Sequence, residues 1–381
     1  MNRRENFIMA CAFKEPDRVP TDCSSHCGMM NREFEKLSRH FGINNPKYDT
    51  NLVGMVDVFD ERVWQKFPID VRTIWMGKPD NFKKTRIGEG QYQLSDFGYI
   101  MKETPMYNEF YDWPLKGENM TPENIRNSLW WPDAFDPGRI RGLRNMVKAL
   151  YDDTDFVIKA GIPVNGFLEQ SQRMRGMENF FIDLYENERL VNTFLDKQME
   201  VQKKFYNVYL REIGKYIQVI EYADDFGTQT GLQISLELYR KYFKERHMEM
   251  WRYIHNLTNA KIYLHSCGAV SELIPDWIEN GLDILESLQP LAKGMDAKTL
   301  KDRYGGKIIF WGGLDVQRIM PFGNPDEVRA EVKRIIQTFA PGGGYIFSPA
   351  HAIQNDVSIE NWLAMWEAVD KYGKYPINLS Y

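Results

Sequence analysis

The chain has 381 residues, 43% of them hydrophobic, and is therefore long enough to bury a large core. Its formal net charge of −5 comes from 48 basic and 53 acidic residues, and this lack of basic excess argues against a nucleic-acid or anionic-membrane partner. The sequence shows no apolar run long enough to span a bilayer, no apolar core of a signal peptide and too few cysteines for a disulfide framework, so it predicts a cytoplasmic protein.

Short β-branched or aromatic runs alternate with longer helical patterns along the chain. Strands that alternate with helices form parallel sheets, and eight such units are typical of a closed barrel. We therefore predict an α/β fold, a single (β/α)₈ TIM-barrel domain over residues 1–381. The predicted strands are residues 18–23, 69–75, 156–162, 216–222, 261–266, 282–288, 307–312 and 344–348.

One segment interrupts this alternation. Residues 82–118 mix polar and aromatic side chains, and we interpret them as an inserted hairpin after the second strand that covers the barrel mouth. Elsewhere the helical patterns are clear, and the last of them opens with a capping asparagine and a first-turn proline. The predicted helices include residues 235–257, 271–280 and 325–339.

A histidine and a cysteine stand two residues apart in LHSCGAV, where His265 and Cys267 come at the end of the fifth predicted strand. Alternate residues of a strand face the same side, and zinc prefers imidazole nitrogen and thiolate sulfur. His351 follows the eighth predicted strand, and the active sites of barrels form where strands end. The pattern predicts a catalytic zinc site of His265, Cys267 and His351 with one open position. A packed core pair is the alternative.

Other polar residues follow predicted strands and form a candidate pocket. The acids of the loop EYADDFGTQTGLQIS are interpreted as acid/base groups, substrate acceptors or a fourth metal ligand, with a solvated turn and helix cap as the alternative. The spacing of CSSHC fits no ordinary zinc module, so we predict that it lines the pocket. For Asp315, helix capping is an equal alternative. The predicted catalytic residues are Glu221, Asp224 and Asp225, and the predicted substrate-binding residues are His26, Gln229, Asp315 and Gln317.

Several segments together resemble the uroporphyrinogen decarboxylase superfamily, most strongly over residues 220–372. Within it, the sequence is most similar to the zinc-dependent, corrinoid-linked methyltransferase branch. The resemblance implies a (β/α)₈ barrel, zinc on the H-x-C pair and a homodimer. The segments that carry it are ENFIMACAFKEPDRVP, ADDFGTQTGLQIS, LHSCGAVSELIPDWIENGLDILESLQP, GMDAKTLKDRYGGKIIFWGGLDVQ and GGGYIFSPAHAIQNDVSIENWLAMWEA.

The resemblance also implies a reaction, the transfer of a methyl group between a small methylated substrate, such as a methoxy compound, and a corrinoid (cobalamin) protein. That branch commonly has cysteine as its third zinc ligand, and His351 in its place would leave the zinc a stronger Lewis acid. A uroporphyrinogen-type decarboxylase is the alternative. It is disfavoured because residues 22–31 contain no Arg or Lys where those enzymes carry arginines for their carboxylate-rich substrate. A non-catalytic binding subunit is a third interpretation.

Overall fold

The structure is a computed structural model that describes residues 1–80, 86–87, 92–104, 108–117 and 119–379. The strands within these residues are short and lie between helices for most of the chain. In chain order they are β1 Asp49–Thr50, β2 Val56–Val58, β3 Val71–Ile74, β4 Arg86–Ile87, β5 Tyr92–Leu94, β6 Ile100–Lys102, β7 Glu109–Asp112, β8 Val157–Ala160, β9 Val219–Ala223, β10 Lys261–His265, β11 Ile284–Ser287, β12 Ile309–Leu314 and β13 Tyr345–Pro349.

The described helices vary from one turn to 26 residues, and two short 3₁₀ turns, Ser25–Cys27 and Pro137–Arg139, accompany them. None of these helices combines the length and the apolar composition that a membrane crossing requires. They are α1 Arg3–Cys11, α2 Asn31–His40, α3 Glu61–Trp64, α4 Pro122–Arg126, α5 Leu143–Asp153, α6 Phe167–Arg175, α7 Met177–Glu186, α8 Glu188–Ile213, α9 Leu236–Tyr242, α10 Lys244–His255, α11 Ile274–Glu279, α12 Ala297–Tyr304, α13 Ile319–Phe322, α14 Pro325–Phe339 and α15 Ile359–Tyr372.

Seven parallel strands form one curled sheet in the order β13-β12-β11-β10-β9-β8-β3. The spatial order follows the chain order, with helices between successive strands, as in a TIM-barrel-like α/β fold. In the register of this sheet, His265 of β10 pairs with Ala223 of β9 and with Glu286 of β11. The carboxyl ends of these strands therefore lie level with one another, and seven of the eight predicted strands are confirmed.

Residues 18–23, the first predicted strand, do not form a regular strand. The N–H of Asp22 donates to the carbonyl of Phe347 on β13 (2.9 Å), and the N–H of Asp70 donates to the carbonyl of Thr21 (3.0 Å). The segment thus lies between the two edge strands of the curled sheet. A regular ladder of backbone hydrogen bonds is absent here because the N–H of Thr21 donates to the carboxylate of Asp70 (2.9 Å). In a regular strand this N–H would donate to a backbone carbonyl of the neighbouring strand.

Part of the predicted hairpin at 82–118 lies outside the described residues. Within the described part, four strands pair as an antiparallel sheet in the order β4-β5-β6-β7, so a single hairpin is not what this segment forms. Met101 of β6 and the preceding Tyr99 are buried in the main core, whereas Phe110 of β7 is exposed. This inserted sheet is therefore anchored to the rest of the chain by one of its faces.

The first halves of the core strands are filled by an apolar layer inside the curled sheet. Val71, Val157 and Val219 are the first residues of their strands and are fully buried there. Phe7 of α1 packs edge-on against Trp311 in the same layer, with ring centroids 5.8 Å apart. Because apolar side chains occupy this end of the sheet, polar groups are left for the carboxyl ends of the strands.

Of two predicted helices, one differs from the structure and the other matches it. Residues 235–257 form two helices, α9 and α10, which break at Phe243, where the buried ring packs 5.4 Å from that of Phe226. By contrast, α14 covers the predicted residues, and the predicted cap Asn324 forms a capping box with Glu327. The capping residue thus predicts the start of α14 correctly. The break between α9 and α10 depends on tertiary packing, which the sequence pattern does not show.

Candidate metal centre

His265, Cys267 and His351 meet where β10 and β13 end. One possible ligand atom of each residue lies within 4.8 Å of those of the other two. The sulfur of Cys267 is 3.3 Å from Nε2 of His265. Two imidazoles and one thiol at this spacing are a donor set that fits zinc. The structure brings the three predicted ligands together, and metal binding by them stays a prediction.

The backbone just after Cys267 is held in a tight turn. Gly268 has φ +82°, and a Cβ atom there would lie 2.6 Å from the carbonyl oxygen of Thr228, so only glycine fits. The N–H of Cys267 donates to the carboxylate of Asp225 (2.7 Å), and that of Gly268 donates to the side chain of Gln289 (2.8 Å). Side chains from two neighbouring loops therefore fix the direction of the thiol.

Glu286 is the carboxylate that orients His265. It is fully buried at the end of β11, and its Oε2 accepts a hydrogen bond from Nδ1 of His265. A carboxylate on Nδ1 leaves Nε2 free to face Cys267, which is the usual arrangement of metal-binding histidines. We did not predict Glu286 from the sequence. An acid near the end of the predicted strand 282–288, where barrel active sites form, is the signal that could have identified it.

Protonation of the cluster is strongly perturbed. Burial lowers the pKa of His265, but the negative charges of Cys267 and Glu286 outweigh burial and raise that pKa well above 6.5. Burial and the neighbouring His265 lower the pKa of His351 to about 4. Burial, assisted by Asp225, raises the pKa of the Cys267 thiol to about 11. A bound cation would have to displace protons from this cluster, so we expect its affinity to fall as the pH falls.

His26 lies against the cluster. Its ring stacks on that of His265, with centroids 4.0 Å apart and an interplanar angle of 18°. It follows Ser25, whose φ of +56° is unusual for a residue with a side chain. The hydroxyl of Ser25 donates to Glu221 (2.9 Å) and lies 3.3 Å from Nδ1 of His26. Burial and nearby positive charges, first that of His265, lower the pKa of His26 well below 6.5, so its ring is neutral.

Glu221 belongs to a fully buried ion-pair network. Its Oε1 lies 3.0 Å from Nζ of Lys159, and the same Nζ lies 2.8 Å from Asp22. All three side chains are inaccessible to solvent. Burial raises the pKa of Glu221, although Lys159 acts in the opposite direction. We did not predict Asp22 or Lys159 from the sequence, and a lysine within the apolar strand β8 was the available signal.

The adjacent acids Asp224 and Asp225 have different surroundings. Asp224 is fully buried, accepts the N–H of Glu169 (2.9 Å) at the start of α6 and lies 3.1 Å from Nε2 of His247. Asp225 has 32% of its side chain exposed and lies 3.9 Å from Nε2 of His265. Asp224 therefore lies buried at the start of α6, an earlier helix, and not on a solvated turn that caps the next helix, whereas Asp225 lies beside the candidate ligands.

We expect Asp224→Asn to lower the free energy of unfolding by about 1–3 kcal/mol, because the new amide would turn a buried N–H₂ toward backbone N–H donors. The free energy of unfolding of Asp225→Asn should stay within about 0.5 kcal/mol of that of the parent chain, since the side-chain oxygen of the asparagine can still accept the N–H of Cys267. Denaturant unfolding of both variants measures this difference. The assignment is reversed if the Asp225 variant is the less stable of the two.

The remaining predicted pocket residues do not contact the candidate ligands. Asp315 is buried and accepts the N–H groups of Gln317 (2.8 Å), Arg318 (3.2 Å) and Ile319 (3.3 Å), which is the capping role that we gave as its alternative. Gln229 and Gln317 are exposed. Among the described residues, no hydrogen bond or ring contact joins these three side chains to the ligand cluster.

Comparison with known proteins gives one family match. Residues 144–372 match the family described as Uroporphyrinogen decarboxylase (URO-D). A uroporphyrinogen decarboxylase of Pseudomonas paraeruginosa is 22% identical over 191 residues, which cover 49% of each chain. One of Alcanivorax borkumensis is 27% identical over 195 residues, covering 49% of this chain and 50% of that protein. The chain thus matches about half the length of these curated relatives.

A solved structure matches over a larger part of the chain. It is a methyltransferase from Methanosarcina mazei, with a TM-score of 0.69 and 17% sequence identity, and the match covers 98% of this chain and 99% of the other. At this identity the likeness shows a shared fold. It agrees with the curled parallel sheet and the TIM-barrel-like order of strands described above.

Proposed function

The chain belongs to the uroporphyrinogen decarboxylase (URO-D) family, and on that premise we propose that it is a zinc-dependent methyltransferase. It would move a methyl group between a small methylated substrate, such as a methoxy compound, and a corrinoid protein. The main support is the convergence of His265, Cys267 and His351 within 4.8 Å, with Glu286 on the far nitrogen of His265. The whole-chain likeness to a Methanosarcina mazei methyltransferase is further support.

In this proposal His265, Cys267 and His351 hold the zinc and leave its fourth position for the substrate. When bound, zinc would supply a Lewis acid that polarises the methyl-bearing heteroatom. Glu286 fixes the ring of His265 so that Nε2 faces the other ligands. Asp225, partly exposed beside Cys267, would bind the substrate or protonate the heteroatom as it leaves.

The partners in this scheme are the small methylated compound and the corrinoid protein, which would dock over the mouth of the curled sheet. A homodimer and a cytoplasmic location also remain predictions from the sequence. The corrinoid protein would have to reach the carboxyl ends of the strands, where His265, Cys267 and His351 lie.

A uroporphyrinogen-type decarboxylase is the second candidate, and the names of the curated relatives favour it. A substrate with many carboxylates needs several cations to meet it. Among the described residues near the cluster, Lys159 is fully buried between Asp22 and Glu221, and Arg173 is paired with Glu169. We rank the decarboxylase second because Lys159 is closed off from any substrate, and Arg173 alone would not meet a substrate with many carboxylates.

Purified protein is expected to carry about one zinc ion per chain, since three protein ligands and an open position form a catalytic site. His351→Ala should lose most of that zinc, whereas the control His40→Ala, at an exposed histidine of α2, should keep it. Elemental analysis measures both. A folded, zinc-free parent chain that releases carbon dioxide from uroporphyrinogen would instead establish the decarboxylase.

A further inference from the structure

Arg173 is a cation of α6 that was not predicted from the sequence as a site residue. On the same face of this helix, one turn earlier, Glu169 donates its N–H to Asp224 (2.9 Å), the neighbour of Asp225. Nη2 of Arg173 donates to the carboxylate of Glu169, and Nη1 donates to the phenol oxygen of Tyr99 (3.3 Å). The side chain retains 17% exposure. Arg173 is therefore linked through Glu169 to the loop that carries Asp225, with part of its surface open.

The inserted sheet fixes the guanidinium in place. The ring centroids of Tyr99 and Phe110 lie 5.7 Å and 5.1 Å from Cζ of Arg173, close enough for cation–π attraction. Nε of Arg173 is buried and has no hydrogen-bond partner among the described residues. A guanidinium has five N–H donors, and the described contacts with Glu169 and Tyr99 use two of its nitrogens, so Arg173 has donor capacity to spare.

The loop that contacts α6 also reaches the candidate metal centre. The N–H of Glu169 donates to Asp224 (2.9 Å), and the next residue, Asp225, lies 3.9 Å from Nε2 of His265. The Glu169–Arg173 pair is thus connected to the candidate ligands through the loop of Asp224 and Asp225.

We propose that Arg173 binds an anionic group of the substrate, so that the methylated substrate is a carboxylate or similar oxyanion rather than a neutral methyl ether. The inference rests on the proposed methyltransferase function and names the substrate class of that site. The planar fork of arginine suits carboxylates better than a point charge does. Glu169 orients the guanidinium and also competes for its donors, so it limits the affinity for an anion.

The test compares matched pairs of probes, 4-methoxybenzoate with 4-methoxybenzamide and methoxyacetate with 2-methoxyacetamide, by calorimetry without any corrinoid protein. The parent chain should bind each carboxylate more tightly than its amide. Arg173→Met should weaken binding of the carboxylates about 10- to 100-fold, the value of a charge-assisted hydrogen bond, and change that of the amides less than about twofold. Arg329→Met, at a surface arginine paired with Glu367, is the matched control and should change neither.

Glu169→Gln provides a second variant with the opposite expected sign. It removes the competing charge, so carboxylates should bind about three- to tenfold more tightly. A purely structural role of the pair would weaken binding in both variants, and that result overturns the proposal. Equal affinities for acid and amide in the parent chain also overturn it, as does the absence of binding by all four probes.

The outcomes separate this inference from the proposed function. Methyl transfer from the amides as fast as from the acids overturns the anion-binding role alone. Arg173-dependent binding of the carboxylates by a chain that carries zinc and transfers no methyl group supports the anion site and overturns the methyltransferase.

Discussion

Replacing Cys267 by serine is expected to lower methyl-transfer turnover by about 1000-fold or more and to deplete zinc from the same preparation. The serine hydroxyl stays protonated at neutral pH and is a far weaker zinc ligand than a thiolate. Lewis-acid polarisation is worth several kcal/mol in the transition state, and about 1.4 kcal/mol corresponds to a tenfold change in rate. Turnover and elemental zinc should therefore be measured together.

Two further variants make this result specific. Cys11→Ser changes a cysteine that packs against the apolar layer in the first halves of the strands, and it should leave zinc and turnover unaltered. Glu286→Gln should lower zinc affinity about 10- to 100-fold, as expected when the orienting partner of a ligand loses its charge. Retention of zinc and full turnover by a folded Cys267→Ser chain would remove the thiol from the site.

The ligand cluster was predictable because two simple rules act together. Strand periodicity places His265 and Cys267 on one side of the chain, and the order of a parallel sheet brings the ends of β10 and β13 to one edge. Glu286 needed a further fact, the pairing register of β10 with β11, which sets it opposite His265. Register between neighbouring strands depends on packing of the whole sheet, so the sequence alone did not supply this contact.

The different roles of Asp224 and Asp225 also depend on contacts with distant parts of the chain. Asp224 and Asp225 are equivalent in the sequence, and only the start of α6 and the imidazole of His247, both distant along the chain, separate their roles. Likewise, nothing local shows that Asp70 replaces a strand partner of Thr21. Positions that depend on local rules, such as the cap at Asn324, were predicted correctly. The distinct roles of Asp224 and Asp225 depend on contacts with distant segments and were not predicted.

Replacing Lys159 by methionine is expected to lower the free energy of unfolding by about 3–5 kcal/mol, because a buried pair that loses one partner leaves uncompensated charge. Lys159 is the cation between Asp22 and Glu221, and all three side chains are fully buried. Methionine keeps most of the aliphatic stem. Denaturant unfolding should compare this variant with Lys261→Met, at a lysine of β10 that is 42% exposed and paired with Asp283. For Lys261→Met we expect the free energy of unfolding to fall by less than about 1 kcal/mol.

The defect of Lys159→Met should grow as the pH rises. Burial already raises the pKa of Glu221 in the folded chain, and Lys159 is the main group that opposes this shift. Without the lysine, folded Glu221 holds its proton to higher pH than the unfolded chain does, so stability is lost as the pH increases between the two pKa values. The variant should therefore be closer to the parent at about pH 5 than at about pH 8. Adding Glu221→Gln should reduce this pH dependence, because one of the two buried carboxyl groups beside position 159 is then gone. A defect that is the same at both pH values would mean that the loss comes from packing rather than from buried charge.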